Sequence, residues 1–183
     1  EVDDQVYEDK NYKVTYLDFG EWGEATWFIS KETGKEFIID FEGTIINRLN
    51  DSYILTTKNE VREISNPKNL LECSPNFYYN EIEKEKKQYE YSNSLVGSKE
   101  IYKDTIYNAL FFKETNRVLN TSFVVNNKLF QLYTDSISTY IGKIKDGSLI
   151  AVQNLDKKFS FFNWNYSFRG NNLENDSRFL KFK

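Results

Sequence analysis

The sequence lacks histidine and methionine altogether and contains one cysteine, Cys73. Without histidine, Ser-His-Asp and Cys-His catalytic groups and histidine-ligated zinc sites are excluded. A single cysteine permits neither an internal disulfide nor a paired-cysteine metal or redox motif. Since no histidine can activate its thiol, we expect Cys73 to be a small buried apolar residue.

Methionine is missing even at position 1, where the chain begins with Glu1. This is expected of an exported protein that has lost a signal peptide, and equally of a chain trimmed for another reason. No apolar run approaches the roughly 20 residues that a membrane-spanning helix needs, so we predict no membrane span.

Positive charge is also in short supply, because 24 Lys and Arg face 28 Asp and Glu among 183 residues. The net charge of -4 argues against nucleic-acid binding, which depends on clustered basic residues. No glycine-rich nucleotide-binding motif and no EF-hand loop occur. We therefore predict no cofactor and no metal site.

Aromatic residues, by contrast, make up 17% of the chain, while alanine occurs only at Ala25, Ala109 and Ala151. Alanine favours helices, whereas aromatic and β-branched residues favour strands. The composition therefore predicts an all-β fold of antiparallel meanders in a single domain, 1–183. Within it we predict an acidic lead-in (1–10), a first meander (12–65), an insert (66–98) and a second meander (99–183).

Turn residues mark the boundaries of the predicted strands. Gly34 lies between strands predicted at 25–30 and 36–41, and Asp146-Gly147 is a two-residue hairpin signal. Pro67 and Pro75 bracket the change of pattern where we predict a short helical or irregular insert near 67–92. Other strands are predicted at 12–16, 44–49, 53–57, 61–64, 105–112, 121–125, 128–133, 138–145, 148–153, 159–168 and 179–182.

The two meanders resemble each other internally. Residues 45–64 align with 123–144, so that Asn50 falls on Asn127 at an offset of 77 residues. This offset is about twice the 40-odd residues of one propeller blade. We therefore predict β-propeller-like repeats, with a β-sandwich or barrel as the alternative.

Two resemblances to known proteins accompany this pattern. WFISKETGKEFI (27–38) resembles the strand-turn-strand of many β-propeller repeats. DFGEWGEATWF (18–28), SFVVNNKLFQLYTDS (122–136) and FFNWNYSFRG (161–170) together resemble a group of uncharacterised exported bacterial proteins. The second resemblance implies export to the periplasm or cell surface and brings no known activity.

The first candidate site is the segment 18–24, in which two glycines allow a sharp bend around Trp22. The rings of Trp22 and Trp27 would stack on a sugar while the carboxylates of Glu21 and Glu24 accept hydrogen bonds from its hydroxyls. The competing interpretation is a connecting bulge whose tryptophan fills the core and whose glutamates face water.

The same carboxylates also suggest a glycosidase pair, since that reaction needs two carboxyl groups and no histidine. Glu21 and Glu24 come from one loop, whereas catalytic pairs usually come from different elements across a cleft. Asp18, Asp40 and Glu42 are therefore the candidate partners.

A second aromatic row, Phe162, Trp164 and Tyr166, alternates with Asn163 and Asn165 along one predicted strand. Such a row is normally one face of a core, and if exposed it would form a binding platform led by Trp164 and Tyr166.

Together these features predict a non-catalytic, exported binding protein whose partner is a glycan or a protein surface. A carboxylate-dependent glycoside hydrolase and a structural or inhibitory interaction protein are the alternatives.

Overall fold

A computed structural model describes residues 5–18, 24–73, 95–104 and 117–156, which form antiparallel β-sheets and contain no α-helix. The all-β fold predicted from the composition is therefore confirmed. Across these ranges there are three separate sheets, none of which closes into a barrel. Within the described residues, no helix is long and apolar enough to cross a membrane.

Thirteen strands make up the described part of the fold, and one 3-10 turn (Pro67–Asn69) precedes the eighth. In chain order they are β1 (Gln5–Glu8), β2 (Tyr12–Asp18), β3 (Glu24–Ser30), β4 (Glu36–Ile39), β5 (Ile45–Leu49), β6 (Ser52–Thr56), β7 (Glu60–Ile64), β8 (Leu71–Cys73), β9 (Lys99–Lys103), β10 (Val118–Val125), β11 (Lys128–Thr134), β12 (Thr139–Lys145) and β13 (Ser148–Asn154).

The strands follow one another through the sheets nearly in chain order. Sheet A has the order β1-β2-β3-β4-β8, sheet B the order β5-β6-β7-β9, and sheet C the order β10-β11-β12-β13. The first strands of the three sheets lie near one another, because β5 contacts both β1 and β10. Each sheet can therefore bury an apolar face against its neighbour.

The predicted first meander is divided between two sheets. Strand β4 pairs with β3 and β8, and the chain leaves sheet A to begin β5 of sheet B. At this crossing the Thr26 hydroxyl donates a hydrogen bond to the carbonyl oxygen of Phe41. A Cβ on Gly43 would lie 2.2 Å from Thr26 Oγ1, so this close approach requires glycine.

Two further boundaries differ from the predictions. The acidic lead-in contains β1, because Val6 and Tyr7 can pack against the core of sheets A and B. The insert supplies β8 to sheet A, and β9 pairs with β7 in sheet B, not with the second meander. The remainder of the insert, 74–94, lies outside the described residues.

The four strands of sheet C lie where strands are predicted at 121–125, 128–133, 138–145 and 148–153. Asn126 and Asn127, and likewise Asp146 and Gly147, have positive φ angles, as two-residue hairpin turns of type I′ require. The expected positive φ at Gly34 is also present, at 70°. The strands predicted at 105–112, 159–168 and 179–182 fall outside the described residues.

Tyr53 joins sheet A to sheet B. Its ring, 1% exposed, contacts the rings of Tyr7, Tyr12 and Phe28 edge to face, with centroids 5.1 to 6.0 Å apart. Its hydroxyl donates a 2.7 Å hydrogen bond to Asp9 Oδ2 in the β1–β2 turn. Aliphatic and aromatic side chains complete this core, namely Val14, Phe37, Ile39, Phe41, Leu55, Ile64 and Leu70.

Sheets B and C share a second core, which is partly polar. Asn47 Nδ2 donates to the carbonyl and hydroxyl oxygens of Ser122, and the hydroxyls of Ser122 and Thr56 are 2.8 Å apart. Asn127 also donates to Asn50, so the two turns that align in the internal repeat contact each other. Apolar residues form the rest of this core, namely Ile54, Val61, Tyr102, Leu119, Tyr133 and Leu149.

The Tyr53–Asp9 hydrogen bond should contribute measurably to stability. Burial alone would raise the pKa of Asp9, but hydrogen bonds from Tyr53 and from the backbone of Tyr12 and Asn11 hold it below its usual value of 3.8. We expect Tyr53→Phe to lower the free energy of unfolding by about 1–2 kcal/mol at neutral pH, measured by urea denaturation. A lowered carboxyl pKa stabilises the fold above the unfolded pKa, so the loss should shrink as pH falls through the folded pKa of Asp9.

Tyr7→Phe is the matched control, because the Tyr7 ring contacts Tyr53 and its hydroxyl makes no hydrogen bond with a described residue. It should change the free energy of unfolding by less than about 0.5 kcal/mol. Equal losses in the two variants, or a Tyr53→Phe loss that persists in acid, would contradict the assigned role of the hydroxyl.

Candidate carboxylate site

The candidate site is built where β2 ends and β3 begins. Asp18, the last residue of β2, lies directly opposite Glu24, the first residue of β3. Opposed residues of an antiparallel pair point to the same face, so two like charges are adjacent, which is unfavourable for folding. Tyr16, two residues before Asp18 on the same face, donates a 2.9 Å hydrogen bond to Glu24 Oε2.

Two further carboxyl groups approach Glu24 from the segment that links β4 to β5. Glu42 and Asp40 both act electrostatically on Glu24, as does Asp18. Four acidic residues from three parts of the chain therefore share one region, which we call the carboxylate site (Asp18, Glu24, Asp40 and Glu42).

The electrostatic environment favours protonation of the glutamates. Burial raises the pKa of Glu24, and repulsion from Glu42, Asp18 and Asp40 adds to this, against the opposing effect of the Tyr16 hydrogen bond. Burial likewise raises the pKa of the Tyr16 hydroxyl, and the charge and hydrogen bond of Glu24 act in the same direction. The hydroxyl therefore remains a donor throughout the physiological range.

Glu42 differs from Glu24 in having a positive neighbour. Burial raises the pKa of Glu42, while the Lys58 ammonium and a 3.4 Å hydrogen bond from Thr44 Oγ1 lower it. The site thus combines several acceptors with a tyrosine hydroxyl and one ammonium group. Such a set can accept hydrogen bonds from ligand hydroxyls, and a carboxyl group with a raised pKa can also donate a proton.

Trp27 lies on the other side of sheet A. Side chains alternate along a strand, so Glu24 and Trp27, three residues apart in β3, point to opposite faces. The Trp27 ring is 1% exposed and packs with Ala25, Ile38 and Cys73. A ring so covered has no free face on which a sugar can stack, so the geometry gives its predicted stacking role no support. Cys73 is buried, as expected of an unactivated thiol.

The other predicted ligand-binding residues, namely Glu21, Trp22, Trp164 and Tyr166, lie outside the described residues. Of the predicted acidic partners, Asp18, Asp40 and Glu42 are all brought together with Glu24. Sequence reasoning missed Tyr16 and Lys58. Tyr16 lies two residues before Asp18 in a predicted strand run, and residues two apart share one face of a strand, so it could have been found from the sequence. The approach of Lys58 depends on how sheet B packs against sheet A.

No group of three or more acidic or cysteine side chains within the described ranges has an arrangement that would hold a metal ion.

No protein-family model, curated protein or solved structure matches the chain. Function therefore has to be inferred from the chemistry of the site itself, since a fold alone does not define an activity.

Removing the charge of Glu24 should stabilise the protein at neutral pH. A carboxyl pKa that is raised on folding contributes stability below its unfolded value, 4.5 for glutamate, and that stability is lost as pH rises through the folded pKa. We expect Glu24→Gln, whose amide oxygen can still accept from Tyr16, to raise the free energy of unfolding at pH 7 by a few tenths to about 1 kcal/mol.

Urea denaturation of the wild type and of Glu24→Gln at pH 7 and at pH 4 measures this difference in the free energy of unfolding. The stabilisation by Glu24→Gln should disappear at pH 4. Glu32→Gln, in the exposed β3–β4 turn, is the matched control and should have little effect at either pH. Destabilisation by Glu24→Gln at pH 7 would show that the carboxylate is held by favourable interactions and would contradict the repulsion described here.

Proposed function

We propose that the protein is a non-catalytic binding protein whose ligand is a glycan held at the carboxylate site. The observation that supports this most strongly is the gathering of Asp18, Asp40 and Glu42 around Glu24, which accepts a hydrogen bond from the Tyr16 hydroxyl. Packing like charges together opposes folding, and groups whose pKa values are perturbed by burial and by neighbouring charges are typical of functional sites.

The chemistry of the site suits a polyhydroxylated ligand. Carboxylates accept hydrogen bonds from sugar hydroxyls in bidentate or bridging arrangements, and the Lys58 ammonium, which acts electrostatically on Glu42, adds a donor. Hydrogen bonds from neutral ligand hydroxyls also offset the repulsion between the carboxylates, because each one stabilises the charged form of the carboxylate that accepts it.

Trp22 supplies the apolar part of the proposed site. It belongs to residues 19–23, the short connection whose two ends, Asp18 and Glu24, both lie in the carboxylate site. The sequence predicts that Trp22 is the stacking residue of this site. Its ring would stack on the C–H face of a sugar, with Glu21 as a further acceptor.

A second candidate function is glycoside hydrolysis. It is favoured by one observation: Glu24 in β3 and Glu42 after β4 come from different elements, and burial raises the pKa of both. Inverting and retaining glycosidases need such a pair, with one carboxyl group protonated. A structural or inhibitory interaction with another protein is the third alternative from the sequence.

We also propose export to the periplasm or cell surface and a propeller-like relationship between the sheets. Export rests on the resemblance to exported bacterial proteins. The propeller-like arrangement is supported by the serial four-strand order of sheets B and C, and by the Asn50–Asn127 hydrogen bond between turns of the internal repeat.

Ligand binding can be tested with soluble neutral oligosaccharides of glucose, xylose and N-acetylglucosamine. A ligand that binds only the folded protein raises its melting temperature, so at least one oligosaccharide should give a concentration-dependent shift and change tryptophan fluorescence. Trp22→Ala and Glu24→Gln should each abolish or strongly reduce the shift while remaining folded. Trp164→Ala, in the second aromatic row, should leave it unchanged if the site is the one proposed.

The same oligosaccharides separate binding from hydrolysis. Reducing ends that accumulate with the wild-type protein and disappear in Glu42→Gln would establish the hydrolase in place of the binding protein. A shift lost in Trp164→Ala and retained in Trp22→Ala would move the site to the second aromatic row. If no oligosaccharide produces a shift and Trp22→Ala only lowers stability, the glycan proposal is wrong.

A further inference from the structure

A groove of about 570 Å³ opens between sheets B and C, away from the carboxylate site. Its floor consists of four partly buried aliphatic side chains, Leu49, Ile101, Leu129 and Ile144. All four pack against the shared core of the two sheets, so the groove is the place where that core reaches solvent. Its volume is within the range of small-ligand and peptide sites.

Three lysines border this groove, although the protein as a whole is acidic. Lys99, Lys128 and Lys143 come from three different strands, and none forms an ion pair with a described carboxylate. The Lys143 ammonium lies 4.8 Å from the centroid of the Phe130 ring. A long lysine stem can cover apolar surface while its ammonium remains in water, ready to meet an anionic group.

The acidic residues at the groove only partly offset these charges. Glu100, which has Arg62 Nη1 3.9 Å away, and Asp146 in the exposed β12–β13 turn are the two carboxylates of the lining. Three lysines against two carboxylates leave the lining with one excess positive charge on a chain of net charge -4. Such a region attracts an acidic partner and repels a basic one.

The geometry also indicates the shape of the ligand. Lys99, Glu100 and Ile101 are consecutive in β9 and all border the groove, although neighbouring side chains of a strand point to opposite faces. The groove also includes Leu49 at the end of β5, the opposite outer strand of sheet B within the described residues, so it crosses the strand ends from β5 to β9. An extended segment can lie along such a groove and place alternate side chains on its aliphatic floor.

We propose that this groove binds an extended acidic peptide segment of a partner protein, with aliphatic side chains on the floor and carboxylates at the three lysines. The floor favours a peptide over a sugar, because its aliphatic side chains offer no flat aromatic surface for stacking. This site is separate from the proposed glycan site and does not depend on it.

The probe is a fluorescently labelled, capped peptide in which glutamate alternates with leucine, and binding is measured by fluorescence anisotropy with the full chain. We expect saturable binding that weakens as salt is added, because charge attraction contributes to it. Peptides of the same length in which lysine replaces glutamate, or serine replaces leucine, should bind at least about tenfold more weakly.

The test variant is Lys99→Glu combined with Lys128→Glu, which reverses two charges at exposed positions of the groove. It should weaken binding of the glutamate–leucine peptide by at least about tenfold while the melting temperature stays close to that of the wild type. Lys68→Glu, an exposed lysine of the 3-10 turn outside the groove, is the matched control and should bind normally.

Four outcomes would overturn the proposal. The first is no saturable binding of the glutamate–leucine peptide, and the second is equal weakening by Lys68→Glu. The third is displacement of the peptide by polygalacturonate at the same carboxylate concentration, which would assign the groove to polyanions in general. Self-association of the wild-type chain that the double variant abolishes would assign the groove to a second copy and also overturn the peptide proposal.

Discussion

Tyr53 is the side chain on which the packing of the first two sheets depends. It belongs to sheet B, yet its ring fills the space between three aromatic rings of sheet A and its hydroxyl reaches Asp9 in the β1–β2 turn. The guanidinium of Arg48 covers the ring, 4.1 Å from its centroid. One residue therefore fixes both how far apart the sheets lie and how the first turn meets β6.

Both candidate sites lie where this packing ends. Phe28 packs edge to face against Tyr12 and Tyr53, and two residues earlier on the same face of β3 Thr26 donates a hydrogen bond to the carbonyl oxygen of Phe41. Beyond Thr26 the face of β3 continues to Glu24, so the acidic groups lie at the end of this face. In the same way, the groove is the open end of the core between sheets B and C.

The sequence predicted the local features better than the assembly. Alternation and turn residues located β2, β3 and β11–β13, because strand period and positive-φ positions are encoded locally. The sequence did not reveal that the chain passes from sheet A to sheet B between β4 and β5. This change of sheet depends on the close approach of Gly43 to Thr26, which are far apart in the chain. The acidic partners of Glu24 were anticipated, whereas the burial of Trp27 follows from the outer packing of sheet A, which alternation alone does not reveal.

We propose that Glu24 and Glu42 share a crowded acidic site that a ligand uses. An NMR titration of the side-chain carboxyl carbons tests it most directly, because it reports the pKa of each glutamate separately. The account predicts that both titrate above the usual 4.5 and that an oligosaccharide found to bind shifts both midpoints downward. Midpoints at or below 4.5, unchanged by such an oligosaccharide, would contradict it.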